Sequence, residues 1–250
     1  MKRIMLVVAY DGTSYCGWQV QPNGLSVQEV LNRHLSELLK EPIETIGASR
    51  TDAGVHALGN VAVFDTSARM PGEKISYALN QRLPEDIRIQ MSREVSPDFH
   101  PRFRESRKTY EYRILNRRFP IPTQRFYSHF TYIPMDAKKM REAGKYLVGE
   151  HDFKSFCGSG AQVKTTVRTI YDFTVEQEGD MITLRITGSG FLYNMVRILA
   201  GTLMEVGSGA RSPKEMKSIL EARDRNAAGP TAPARGLTLM NIEFTESEEE

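Results

Sequence analysis

Ala48-Ser49-Arg50-Thr51-Asp52-Ala53-Gly54-Val55-His56-Ala57 sets one carboxylate, Asp52, in a tight polar turn between two apolar runs. Ile43 to Ile46 before it and Val61 to Phe64 after it read as strands, so the turn is expected to join two strands. Gly54 gives the backbone a position that can take positive φ. An aspartate alone in a turn ordinarily bonds its own backbone. Here Arg50 stands two residues before it and His56 four residues after. A cation and an imidazole are the neighbours that a carboxylate needs to stay ionised and act.

Working outward, Ile4 to Ala9 is a continuous apolar run, as in a central strand covered on both faces. Ser26-Val27-Gln28-Glu29 is a capping box, followed by Val27, Val30, Leu31, Leu35 and Leu38 at helical spacing and stopped by Pro42. Pro71 and Gly72 introduce a second helix carrying Ile75, Ala78, Leu79 and Leu83, and Ile87 to Met91 alternates as a strand. The order to this point is βαββαβ, a ferredoxin-like half. Trp18, the one tryptophan, lies in a glycine-punctuated loop and is expected to pin that loop to the core.

Pro97-Asp98-Phe99-His100-Pro101 reads as a linker-like break, which sets expected domains at 1–104 and 105–250. Beyond it, Thr109 to Leu115 alternates with Tyr110, Tyr112 and Ile114 on one face, and Phe126 to Phe130 reads as a short strand. Asp136 is a candidate helix cap with Gly149 past the helix end. Cys157 to Gln162 has the composition of a mobile loop. Val167 to Val175 and Ile182 to Ile186 form an expected hairpin across Gly179-Asp180. Gly188-Ser189-Gly190 is expected to open a long apolar helix from about Phe191 to Met204, and Ser212 to cap another with Pro213 at its first position. Leu237 to Phe244 reads as a last strand before an acidic tail.

The 250 residues are 40% hydrophobic and 26% charged, ordinary for a globular chain, and the net charge of +2 does not announce a nucleic-acid binder. Local charge is more telling. Between Arg102 and Arg125 eight basic residues meet only Glu105 and Glu111, with Phe103, Tyr110, Tyr112 and Phe119 interleaved. Groups that neutralise phosphate, mixed with rings that stack on bases, suit an RNA surface. A pair of solvated strands with ordinary arginines is the plainer reading. Two distant cysteines, Cys16 and Cys157, argue against a disulfide scaffold. No secretory leader or membrane-span pattern is legible, so a cytoplasmic protein is expected.

Chemistry narrows by elimination. None of His34, His56, His100, His129 and His151 pairs with another, or with a cysteine, at zinc-site spacing. Neither a phosphate loop nor a serine-hydrolase elbow occurs. A carboxylate is the remaining candidate for catalysis, and Asp52 is the best placed; Asp11 is a rival with no cation near it in sequence. A carboxylate can act at a sugar anomeric carbon, where positive charge develops as a glycosidic bond breaks. Arg50 is near Asp52 in sequence, and Arg197 stands out between Val196 and Ile198, where an arginine needs a partner or a route to solvent.

Ser49 to Ala57 resembles the catalytic signature of the tRNA pseudouridine synthase A family. Tyr10 to Gln21, Lys108 to Tyr112, Asp152 to Cys157, Gly188 to Arg197 and Pro233 to Leu239 resemble further blocks of that family, in family order. The resemblance implies a mostly antiparallel sheet shared by two related α+β halves and flanked by helices. It implies isomerisation of uridine to pseudouridine at positions 38, 39 and 40 of the tRNA anticodon stem-loop, by a homodimer with neither metal nor organic cofactor. By the same resemblance Asp52 corresponds to the catalytic nucleophile and Arg197 to the residue that ion-pairs with it. Tyr110 corresponds to the tyrosine that stacks on the target base, Arg50 to a residue that enters the space left by the flipped nucleotide, and Leu239 to a pocket wall.

Overall fold

A computed structural model describes residues 1–160 and 163–245. By contacts the chain divides into a unit of Met1–Ser106 joined by the stretch from Leu239 on, and a unit of Arg107–Thr238. The division thus falls two residues past the expected 104/105 boundary, and the last strand returns to the first unit instead of ending the second. Both are mixed α+β, with sheets flanked by helices, and no described helix is long and apolar enough to cross a membrane.

The first unit runs β1 (Lys2–Tyr10), α1 (Val27–Leu39), β2 (Ile46–Gly47), β3 (His56–Thr66), α2 (Gly72–Asn80) and β4 (Ile87–Val95). β1 lies between β3 and β4, antiparallel to both, with Val7 opposite Val61 and Met91. β2 makes a two-residue antiparallel contact with β3, Ile46 to Val63 and Gly47 to Ala62. The expected strand Ile43 to Ile46 is therefore shorter and later, and the strand after the turn begins at His56, not Val61. Side chains alternate along β1. Met5 and Val7 pack with Val61, Val63, Ile242 and Phe244, while Ile4, Leu6 and Val8 on the opposite face are fully buried. Ser26 caps α1 by accepting from the Glu29 backbone N–H at 3.2 Å. Trp18 is wholly buried, and Gly47 is what admits it: a Cβ there would lie 2.2 Å from the indole Nε1.

The second unit continues with β5 (Ser106–Asn116), β6 (His129–Thr131), α3 (Ala137–Gly144), β7 (Gly149–Asp152), β8 (Val167–Glu178), β9 (Met181–Gly188), α4 (Met195–Gly207) and α5 (Glu215–Ala222), before β10 (Leu237–Phe244). Its sheet order is β5-β9-β8-β7, each neighbour antiparallel, with β6 parallel to β5. Tyr110, Tyr112 and Ile114 share the buried face of β5 as their alternation requires. Asp136 caps α3, accepting from the N–H groups of Lys138 and Lys139.

Three expectations need correction here. Phe126 to Ser128 lie in a turn and bend, and only His129–Thr131 pair, because the Tyr127 N–H and the Ser128 hydroxyl both fold back to donate to Gln124 O, at 3.1 and 3.0 Å. The apolar helix starts at Met195 and not Phe191, since Asn194 sits in the left-handed region at φ 58° and breaks the helix there. Ser212 does not cap α5. The cap position is Lys214, while Glu215 bonds back to the Ser212 N–H at 2.6 Å. Of the loop Cys157 to Gln162, residues 161 and 162 lie outside the described residues, as does the acidic tail from residue 246.

Candidate active site

In the first unit Asp52 sits half-buried in the loop between β2 and β3, with Arg50 exposed on its leading side. The turn that carries it is closed by the Val55 N–H donating to Asp52 O at 3.1 Å, and Gly54 takes φ 76° as that reversal requires.

A buried polar chain holds the loop from beneath. The hydroxyls of Tyr10 and Thr51 share a 2.7 Å hydrogen bond. Asn60 on β3 donates through Nδ2 to the Tyr10 hydroxyl at 3.3 Å and to the Ser49 carbonyl at 3.1 Å, and accepts through Oδ1 from Val61 N–H at 2.9 Å. Ser49 and Thr51 flank Arg50, and Thr51 directly precedes Asp52, so the segment leading into Asp52 is tied to β1 and β3. Groups this deep are expensive to leave unpaired, and the chain satisfies them.

The Tyr10–Gly24 loop covers the other side. Trp18 N–H donates to Thr51 O at 3.1 Å, and Gly54 N–H to Tyr15 O at 3.3 Å. This approach requires glycine. At Gly12 a Cβ would lie 2.0 Å from Val55 O, and at Gly17, which has φ 91°, 2.6 Å from Thr51 O. His56 is buried with its Nδ1 3.0 Å from the donating Gly12 N–H and 3.1 Å from Asp11 Oδ1. Asp11 also accepts from Thr13 N–H at 2.9 Å. Asp11, the rival carboxylate in sequence, is thereby engaged within the cover loop itself, and it is the Gly12 N–H that holds that loop to His56. Leu239, wholly buried, stands on the part of β10 that belongs to this unit.

In the second unit, Tyr110 on β5 pairs across to Ile186 of β9, and its buried ring meets Phe191 edge-on at 5.0 Å. Arg197 lies in the first turn of α4. Its Nε donates to Ala232 O at 2.8 Å and its Nη1 to Asn194 Oδ1 at 2.9 Å, while its own carbonyl accepts from Ala232 N–H at 3.0 Å. The Pro230–Ala232 strap can lie this close because residue 201 is glycine; a Cβ there would be 1.8 Å from Pro230 O. Tyr112 donates to Pro233 O at 2.8 Å. Burial raises its phenol well above the ordinary tyrosine range, partly offset by the positive charges of Arg197 and Arg235.

Sequence reasoning singled out Asp52, Arg50, Tyr110, Arg197 and Leu239, but it gave Tyr10 and Asn60 no role in the site and read Arg102 only as one member of a basic patch. Arg102 donates through Nε to Gly47 O at 2.8 Å, which ties a distant turn to the loop's leading edge. An asparagine inside the apolar alternation of Gly59 to Phe64 was the available signal for Asn60. Among the described residues no group of three or more His, Cys, Asp or Glu side chains is disposed to hold a metal ion.

The family model described as tRNA pseudouridine synthase matches residues 6–104 and 143–245. A protein of Thermoanaerobacter sp. (strain X514) named tRNA pseudouridine synthase A is 48% identical over 242 residues, covering 97% of this chain and 99% of its own. Proteins of the same name from Acetivibrio thermocellus and Brevibacillus brevis are 47% and 46% identical, each covering 98% of this chain and 100% of its own. A match that runs almost end to end and takes in the whole Asp52 loop means that this chain belongs to the tRNA pseudouridine synthase family, a family of isomerases.

Proposed function

We propose that this chain isomerises uridine to pseudouridine at positions 38, 39 and 40 of the tRNA anticodon stem-loop, with Asp52 as nucleophile. The observation that carries the reading is the Asp52 loop itself. It holds the stretch that resembles the family's catalytic signature inside a nearly full-length match to relatives named for tRNA pseudouridine synthesis, and a buried network braces the segment leading into Asp52. The N1–C1′ bond breaks, the uracil turns, a C5–C1′ bond forms, and the hydrogen of C5 leaves as a proton while N1 regains one. A target base must leave its stack, at a cost of a few kcal/mol. Stacking on Tyr110 returns about 1–3 kcal/mol. Arg50 takes the space left in the stem, Arg197 serves as the guanidinium partner of the nucleophile, and Leu239 walls the uracil.

The same reading includes a cytoplasmic homodimer working without metal or organic cofactor. It also takes both units as ferredoxin-like halves of a mostly antiparallel sheet, for which the β1-α1-β2-β3-α2-β4 order of the first gives support.

The test uses unmodified tRNA transcripts carrying tritium at uridine C5, with carbodiimide primer extension to map the product. Tritium release with stops at 38, 39 and 40 supports the proposal. Free uracil would mean glycoside hydrolysis, binding without either product a passive RNA module, and stops elsewhere a different site in tRNA.

A further inference from the structure

The turn from His100 to Arg104 carries an exposed ring that neither the core nor the proposed chemistry uses. Phe103 is 84% exposed, yet it is held in place: its ring stacks on that of His100 with centroids 4.1 Å apart and planes 20° from parallel. The turn is closed by the N–H groups of Phe103 and Arg104, which both donate to His100 O at 3.1 Å, and by Arg102 N–H donating to His100 Nδ1 at 3.2 Å. One face of Phe103 is therefore backed by imidazole and the other is open. An apolar ring left this exposed buries little surface for the fold.

The charges beside it identify its occupant. Arg102 Nε donates to Gly47 O at 2.8 Å, so the turn is docked on the segment that leads into Ser49 and Arg50. Among the described residues no carboxylate is ion-paired with Arg50 or Arg102. The Arg102 guanidinium is held below its ordinary range by burial and, second, by the nearby charge of Arg50. Two like charges brought together in this way favour an anion between or beside them. A flat apolar face on the same turn as an arginine that is ion-paired with no carboxylate among the described residues matches a nucleotide, base on the ring and phosphate on the cation.

We propose that the His100–Arg104 turn is a nucleotide platform: a base of the RNA strand other than the target uridine stacks on the open face of Phe103, and a flanking phosphate rests on Arg102. This rests on RNA being the substrate, and it adds a second stacking site to the one proposed for the target base. Such a site would set where the stem lies on the first unit, and so which uridine is presented.

The probe is an unmodified tRNA transcript, with equilibrium binding measured in an Asp52→Asn background and KM and kcat for tritium release in the otherwise intact enzyme. Phe103→Ala is expected to weaken binding and raise KM about 5- to 150-fold, with kcat retained. Phe103→Tyr and Phe103→Trp should keep wild-type binding, whereas Phe103→Leu should behave as alanine does. Arg102→Gln should reduce the slope of log K against log salt by about one. Because Phe103 is exposed, all its variants should melt with the wild type. Unchanged binding by Phe103→Ala, or wild-type binding by Phe103→Leu, overturns the platform; the second result points to apolar contact with a protein instead. These outcomes are read with the wild type releasing tritium. If the wild type neither releases tritium nor binds the transcript, the RNA reading itself has failed, and the platform with it.

Discussion

Tyr10 shows how much of the site depends on one oxygen. Its hydroxyl joins Asn60 to Thr51, and through Asn60 reaches the Ser49 carbonyl on the far side of Arg50. Tyr10→Phe keeps the ring, including its 5.9 Å contact with Trp18, and removes only that link. The buried Thr51 and Asn60 groups would then lose a partner, a cost of about 1–3 kcal/mol in urea-unfolding free energy. Displacing a reactive group by about 1 Å can cost about 10²-fold, so kcat for tritium release should fall about 10- to 100-fold with KM little changed. A variant with lower stability but unchanged kcat would show that the chain supports the fold and not the position of Asp52. Asp52 and Arg50 stand out in sequence as candidates because they crowd a short polar turn. Tyr10 does not, because a tyrosine ending an apolar strand looks like core until its partner forty-one residues on is known.

At the scale of elements, the loop from Tyr10 to Gly24 and the loop from Ala48 to Val55 behave as one piece, joined where Gly12 and Gly17 bring backbone onto backbone. Gly17→Ala places a β-carbon 2.6 Å from Thr51 O at a φ of 91°. The strain should destabilise by about 1–3 kcal/mol and lower kcat as Thr51 shifts, both absent if the loops move independently. Tyr112 joins β5 to Pro233 in the same manner. Burial raises its folded pKa above the unfolded value of about 10, so its contribution to stability is full below about pH 10 and is lost as pH rises beyond it, when the unfolded chain gives up the proton first. Tyr112→Phe should therefore lose stability near neutral pH and show a shallower decline between about pH 10 and 11 than the wild type in parallel urea titrations. Equal slopes would contradict that account. Helices and hairpins with strong periodicity, such as α1 and the β8–β9 hairpin, were legible in sequence. The start of α4 was not, since Asn194 breaks an otherwise continuous apolar run by taking a left-handed backbone that no spacing announces.

At the scale of the whole molecule, the chain leaves the first unit after Ser106 and returns to it at Leu239, where Ile242 and Phe244 pack against Met5, Val61 and Val63. A break in composition near Pro97 to Pro101 marked the departure. The return was invisible in sequence, because pairing between residues nearly two hundred positions apart leaves no local pattern. Function is also a property of the whole chain. The resemblance rests on six blocks spread from Tyr10 to Leu239, each weak alone. The central claim is that one carboxylate performs the isomerisation, and single-turnover release of tritium from tRNA labelled at uridine C5 tests it most directly. Asp52→Asn, close in shape to the wild type, should still bind the transcript and melt normally while its release rate falls by about 10⁴-fold or more. Release within about tenfold of the wild-type rate by a folded, tRNA-binding Asp52→Asn protein would contradict it.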